Sequence, residues 1–337
     1  MVSVWRGGNR KVACFITISG ELQCLAAALF AGKSRALFRG PALDRLAVGV
    51  ESPDEQSPHS TRVGNRGSSG PTAAATANTL SLRGSDGHAG SPGLRPSKSR
   101  SDLPFPEDLE EEKATRLSEL LGHYAFRLFL RGAIQKGQGF APEEATQYLK
   151  RAQSRECAES LVRLGLAERI SRGRYRMLWA AKSFGGTLEW YVARELSRRF
   201  GFDVAAGVRF HTRGVGGDLD VVAAAEGRLA YLELKTSPPK NLDVREVVAF
   251  FERVYMLRPD VTLFVVDTAL RLSDKVLPML VAELEHRRGG TQVTPRRIER
   301  ELWALTPHLY AVNGKLDLMA NIGRALAEGL FALSPLI

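Results

Sequence analysis

The sequence predicts a mixed α/β protein: a helical segment, then a domain built on a mixed central sheet, behind a low-complexity tail. Three observations carry this. Between residues 185 and 287 the apolar pattern passes from helical spacing to three extended runs, back to helical spacing, then to a short fully apolar run and a last helix. Residues 104 to 165 hold helical patterns alone, and residues 51 to 101 are Ser, Gly, Pro, Ala and Arg with almost no large apolar residue. The expected divisions are a tail over 1 to 103, a helical domain over 104 to 180 and the mixed domain over 181 to 337.

The tail composition cannot bury enough surface to offset chain entropy, so disorder is expected there. Residues 1 to 100 explain most of the formal charge of +10, since they hold 13 of the 47 Lys and Arg but only 6 of the 37 Asp and Glu. Residues 101 to 337 are left with a net charge of only +3, so basicity alone says little about partners. Cys14, Cys24 and Cys157 are widely spaced with no C-x-x-C and no neighbouring His, which points to neither disulfides nor zinc and fits a reducing, cytoplasmic setting. The apolar run over residues 12 to 32 is interrupted by Glu21 and Gln23 and falls short of the ~20 apolar residues of a membrane span. Arg6, Arg10 and Lys11 precede it, but the acidic interruption argues against an export signal.

In the helical segment, PEDLEEEKATRLSELLGHYAFRLFLRGA puts Leu117, Leu120, Leu121, Tyr124 and Leu128 at helical spacing behind an acidic first turn. A short helix follows Pro142, and a third runs through ECAESLVRLG to a terminating Gly165. LAERI and YRML then read as strands around SRGR. This arrangement resembles a winged helix-turn-helix, with residues 156 to 164 as the recognition helix and residues 171 to 174 as the wing tip. Arg151, Arg155, Arg163, Arg169, Arg172, Arg174 and Arg176 are suited to phosphate contacts through their guanidinium forks, and equally to the solvated face of a docking or dimerisation module. Arg163, Arg172 and Arg174 are the candidates singled out for nucleic acid.

The mixed domain opens after Gly185 and Gly186 with a helix that Thr187 can cap and in which Leu188, Val192, Leu196 and Phe200 recur. GFDVAAGVRF, LDVVAAA and LAYLELK are extended, the last two joined by a turn at Glu226, Gly227 and Arg228. The next helix places Val244, Val247, Val248, Phe251, Val254 and Tyr255 on one side, VTLFVVD is a buried strand, and a further helix covers residues 273 to 286. Near the end, a strand over 309 to 312, a turn at Asn313 and Gly314 and a helix from Asp317 are expected.

The chemistry sits in G-G-D-L-D-V-V, with E-L-K thirteen residues beyond Asp220. Residues two apart on a strand share a face, so Glu233 and Lys235 project together while Leu232 and Leu234 enter core. If the two strands pair through the Glu226-Gly227 turn, Asp220 reaches the same face. Two carboxylates suit a hard divalent cation such as Mg²⁺, and a lysine beside it can position or deprotonate water or stabilise charge building on phosphate oxygens. Asp-and-Glu-x-Lys pairs also arise as surface ion pairs worth little; the placement of this one between helix and helix-strand pair favours a site.

These residues and the α-β-β-β-α-β order resemble the PD-(D/E)xK, or restriction-endonuclease-like, nuclease superfamily over residues 185 to 267. The resemblance implies Asp220 and Glu233 as metal-binding acids, Lys235 as the catalytic lysine, and Glu189 as the acid many members place on the first helix. Asp218 is an alternative ligand to Asp220. Leu219 stands where the family has Pro, and the Gln of RecB-like members is missing from the helix after ExK. Lys240 and Arg245 lie where a helix start can meet a phosphate. Thr236 and Ser237 can bond a phosphate or simply form the turn before Pro238 and Pro239; His211 and Arg213 read as loop residues. The implied activity is Mg²⁺-dependent hydrolysis of DNA, with Mn²⁺ as substitute and RNA as an alternative substrate, in repair, recombination or defence. A binding or regulatory protein on a nuclease-like scaffold is the competing expectation. No membrane partner is expected, and a homodimer is left open.

Overall fold

The computed structural model describes residues 5–7, 10–12, 97–98, 102–137, 139–209 and 218–332. They belong to one unit, Met1–Phe38 with Leu94–Ile337; the other unit, Arg39–Gly93, lies outside the described residues, as does most of the expected tail and both His211 and Arg213. Trp5–Gly7 and Arg10–Val12 pair antiparallel.

The stretch expected as one long helix is two, Glu111–Gly122 (α1) and Tyr124–Lys136 (α2), with an extended His123 between them (φ −87°, ψ 121°). The break has a local cause. Nη1 of Arg127 donates to the carbonyls of Leu121 and Gly122 (2.6 and 3.1 Å), capping acceptors that a helix end leaves open. Downstream of the break the inward stripe is Phe126, Phe129 and Leu130, and Tyr124 and Leu128 are only half-buried. Pro142–Ala145 (α3) is a single turn, Arg151–Arg163 (α4) starts earlier than expected, and Ala167–Ser171 (β1) and Arg174–Met177 (β2) form an antiparallel hairpin.

From Gly185 the chain runs in the expected order: Gly185–Phe200 (α5), Asp203–Arg209 (β3), Asp218–Ala225 (β4), Arg228–Lys235 (β5), Val244–Leu257 (α6), Val261–Val266 (β6), Val276–Arg287 (α7). Thr187 is not the cap of α5; the helix starts at Gly185 and buries the threonine. Two further strands, Arg296–Glu299 (β7) and Leu302–Thr306 (β8), precede Leu309–Asn313 (β9) and Leu318–Ala332 (α8). The seven strands β3 to β9 form one mixed sheet in the order β7-β8-β9-β6-β5-β4-β3, with Ser97–Lys98 added antiparallel to β3. Parallel pairing joins β5 to β6 and β6 to β9; the other neighbours are antiparallel.

Helices cover both faces, which is why all six residues of β6 are buried. One face packs Val221, Leu232, Leu263 and Val265 against α5, α8 and the helical segment. The other packs Tyr231, Phe264 and Val266 against Val247, Phe250 and Phe251 of α6 and Val276 and Leu280 of α7. The close approach of α8 requires Gly329, where a Cβ would meet the Val261 side chain at 2.7 Å.

A buried ion pair ties the helical segment to this sheet. Asp267, directly after β6, accepts from Nε of Arg127 (3.0 Å) and Nη2 of Arg131 (3.1 Å), and neither Arg127 nor Asp267 exposes its side chain. The backbone N–H of Asp267 also donates to the carbonyl of Lys235 (2.8 Å), extending the β5-β6 ladder by one rung. Removing the carboxylate strands two guanidinium groups, a loss of about 3–5 kcal/mol for broken buried pairs. Asp267→Ala should therefore lower the urea-unfolding free energy by about that much, and a loss below about 1 kcal/mol would show the pair to be dispensable.

Candidate functional site

A two-residue turn builds the site. Glu226 and Gly227 take positive φ (50° and 76°), the conformation that matches the twist of a tight hairpin. The register then runs from Ala225 opposite Arg228 to Val221 opposite Leu232. Beyond that rung the ladder changes. The N–H of Leu234 donates to Oδ2 of Asp220 (2.7 Å), so a side chain stands where a backbone carbonyl is expected. Leu219 belongs to the opposite core from Val221, although the two share strand parity. The two strands thus part at Asp220, within the motif.

Glu233, 2% exposed, points to the α6 side, and every direction around its carboxylate is used. Oε1 accepts from Nζ of Lys235 (3.0 Å) and Nη2 of Arg253 (2.7 Å). Oε2 accepts from Nε of Arg253 (3.2 Å) and from the Tyr231 hydroxyl. Nε of Arg253 also donates to Oη of Tyr231 (3.0 Å). Lys235 bridges on to Oε1 of Glu246 (3.1 Å) in the first turn of α6, whose capping box with Asp243 fixes that glutamate. Burial opposes the charge of Lys235, but Glu233 and Glu246 outweigh it, and its pKa is raised; the ammonium form is held. Glu246 is lowered: burial raises it, and the Asp243 N–H and Lys235 more than offset that.

Asp220 and Glu189 have a different environment. Neither is ion-paired with Lys or Arg among the described residues. Asp220 is raised well above the usual carboxylate range by burial and by the charges of Glu233 and Glu189. Glu189 is pushed up to about 7 by burial, then by the charges of Asp218 and Glu233. Glu189 thus feels acids of the sheet although α5 covers the opposite sheet face from α6. Among the described residues, no three His, Cys, Asp or Glu are arranged as a metal cage. The donor set is still of the right kind: hard oxygens carrying mutual repulsion that a divalent cation would relieve.

The arginines of the helical segment are largely paired. Arg151 meets Glu143, Arg169 meets Glu159, Arg174 meets Glu144 and the carbonyl of Gly139, and Arg176 meets Glu168. Arg163 is exposed and donates to Ser160; Arg172 lies exposed at the hairpin turn. Lys240 and Arg245 are exposed on either side of the α6 cap.

Tyr231, Glu246 and Arg253 were not among the expected site residues. Tyr231 was signalled by its parity with Glu233. Arg253 was hidden by the assumed stripe of α6: the buried residues are Val247, Phe250, Phe251, Arg253 and Leu257, while Val244 and Tyr255 are exposed.

Compared with known proteins, the chain matches no described family and no curated protein. Among solved structures it is similar to protein VC1899 from Vibrio cholerae, with 13% identity, a TM-score of 0.43, and coverage of 70% of this chain and 60% of that one. It is also similar to Can2 from Sulfobacillus thermosulfidooxidans, a structure in complex with cyclic tetra-adenylate, with 16% identity, a TM-score of 0.32, and coverage of 58% and 57%. The chain thus spans less than two thirds of the length of either. No helix of the described residues is long and apolar enough to cross a membrane.

The raised Glu189 has a consequence for stability. Between its ordinary 4.5 and about 7, the folded protein holds a proton that the unfolded chain has lost. Its contribution is therefore intact below about 4.5 and disappears as pH rises through 7. Glu189→Gln should raise the melting temperature relative to wild type at pH 8 without divalent cations, and the gap should close toward pH 4.5. A gap that is constant across this range would contradict the assignment.

Proposed function

We propose that this protein is a divalent-cation-dependent nuclease of the PD-(D/E)xK kind, hydrolysing phosphodiester bonds at the point where β4 parts from β5. The observation that carries this reading is the side-by-side placement of two unlike clusters. Asp220, held at 2.7 Å on the N–H of Leu234 between Glu233 and Lys235, and Glu189, whose charge acts on it, have no ion-pair partner among the described residues. Glu233 meanwhile holds the Lys235 ammonium at 3.0 Å.

Mg²⁺ or Mn²⁺ held by Asp220 and Glu189, with Asp218 beside them, would supply Lewis acidity, neutralising phosphate charge and making water more acidic. Lys235 is held protonated, so its part is to stabilise charge building on a non-bridging phosphate oxygen, not to accept the proton of water. The attacking water gives up a proton to solvent and forms a P–O bond as the ester P–O bond breaks, and the leaving oxygen departs with a proton from solvent. Helices α1 to α4 with the β1-β2 hairpin are read as the winged-helix-like part that engages the nucleic acid. Arg163 and Arg172, with Lys240 and Arg245 at the α6 end, are the basic side chains available for phosphate. DNA is the proposed substrate, in repair, recombination or defence, and RNA belongs in the test.

A second reading is favoured by the saturation of Glu233: a nuclease-like scaffold that binds nucleic acid without cutting it. The full chain, offered single-stranded, double-stranded and branched DNA and RNA with Mg²⁺ or Mn²⁺, separates the two. Metal-dependent cleavage that falls by about 100-fold or more in Asp220→Asn and Lys235→Ala is expected. Binding without cleavage of any substrate would establish the scaffold instead.

A further inference from the structure

The Glu233 carboxylate has room for about four hydrogen bonds, two at each oxygen. All four are filled: Lys235 and Arg253 at Oε1, Arg253 and Tyr231 at Oε2. Three of these bonds come from cations. Arg253 is 7% exposed, so its fork has little solvent to turn to. A divalent cation at Glu233 would have to displace it, leaving a guanidinium buried without a counter-charge, which proteins tolerate poorly.

Charge balance points the same way. Glu233 and Glu246 carry two negative charges against the two positive charges of Lys235 and Arg253, so this cluster is neutral as it stands. Asp220, which accepts from the Leu234 N–H, and Glu189 are acids with no ion-pair contact among the described residues. A divalent cation approaching Glu233 meets the two positive charges that touch its carboxylate; at Asp220 the charge of Lys235 acts only from beyond ion-pair distance, and Glu189 has no ion-pair partner among the described residues.

We propose, resting on the nuclease reading above, that Glu233 is the socket of Lys235 and not a ligand of the divalent cation. Arg253 is the positioning residue that keeps it so, and Asp220 and Glu189 carry a single cation. The buried guanidinium thus occupies the electrostatic place of a second cation. Through Glu233 it sets where the Lys235 ammonium stands.

Direct Mn²⁺ titration of the full-length protein, followed by calorimetry with circular dichroism as a check on folding, tests this without reference to turnover. Wild type should bind one Mn²⁺. Asp220→Asn and Glu189→Gln should each weaken binding by roughly tenfold or more, while Glu233→Gln leaves it close to wild type. Arg253→Met should free Glu233 and admit a second Mn²⁺, and Arg253→Lys should return the count to one; an arginine with a merely structural role would change neither count. Glu233→Gln weakening Mn²⁺ as much as Asp220→Asn would overturn the proposal. Crystals of wild type soaked in Mn²⁺ answer the same question should Glu233→Gln fail to fold. One anomalous peak beside Asp220 and Glu189, with Glu233 still on Arg253, supports the assignment; a peak coordinated by Glu233 with Arg253 displaced overturns it. Failure of the underlying nuclease reading looks different: wild type binds no Mn²⁺ at all, which removes both.

Discussion

Burying the Glu233 carboxylate inside a sheet covered on both faces is the constraint to which its surroundings answer. A charge taken out of water needs donors on every side. The sequence provides them from three directions: Tyr231 from the same strand, Lys235 from the same strand face, and Arg253 from α6 above it. The helix must therefore turn an arginine inward among Val247, Phe250 and Phe251. That choice fixes the rotation of α6, which in turn brings Glu246 to the far side of Lys235.

The second anchor lies one ladder rung away. Asp267 binds the Lys235 carbonyl through its backbone and Arg127 and Arg131 through its side chain. The same arginine that breaks the first helix at His123 thereby locks the helical segment to the strand end carrying the candidate lysine. The helical segment shares its hydrophobic core with α5 and α8 on one sheet face, and the Glu233 cluster stands on the other face of the same sheet. A substrate held by the helices would meet a sheet end whose position relative to them is set by a buried ion pair.

Much of this was legible in the residues and some was not. The helix, three strands, helix, strand order was readable because its periods switch cleanly between 3.6 and 2 and a Glu-Gly pair marks the hairpin. The pairing that brings Asp220 opposite the ExK strand followed from that turn. What periodicity could not show is that Asp220 would enter the ladder through its side chain, since nothing local distinguishes such a carboxylate from one pointing outward. The break at His123 is capped by Arg127, which is itself held by Asp267, 140 positions away, and no window of sequence contains that second contact. Strands β7 and β8 went unread because β7 is nearly all charged and exposed, RRIE at a sheet edge. Arg253 shows the general difficulty: a charged residue on an apolar helix is assigned to solvent unless its buried partner is already known.

In the proposed reaction, water activated beside Asp220 and Glu189 and assisted by the Lys235 ammonium attacks phosphorus directly. Cleavage of a nucleic acid by the full chain in ¹⁸O-enriched water with Mg²⁺, followed by mass spectrometry of the new phosphate terminus, tests it most directly. One ¹⁸O atom is expected on each newly formed terminal phosphate from a single turnover. A terminal phosphate without label, or a cyclic phosphate in its place, would mean that an oxygen of the protein or of the nucleic acid attacked first, and would contradict it.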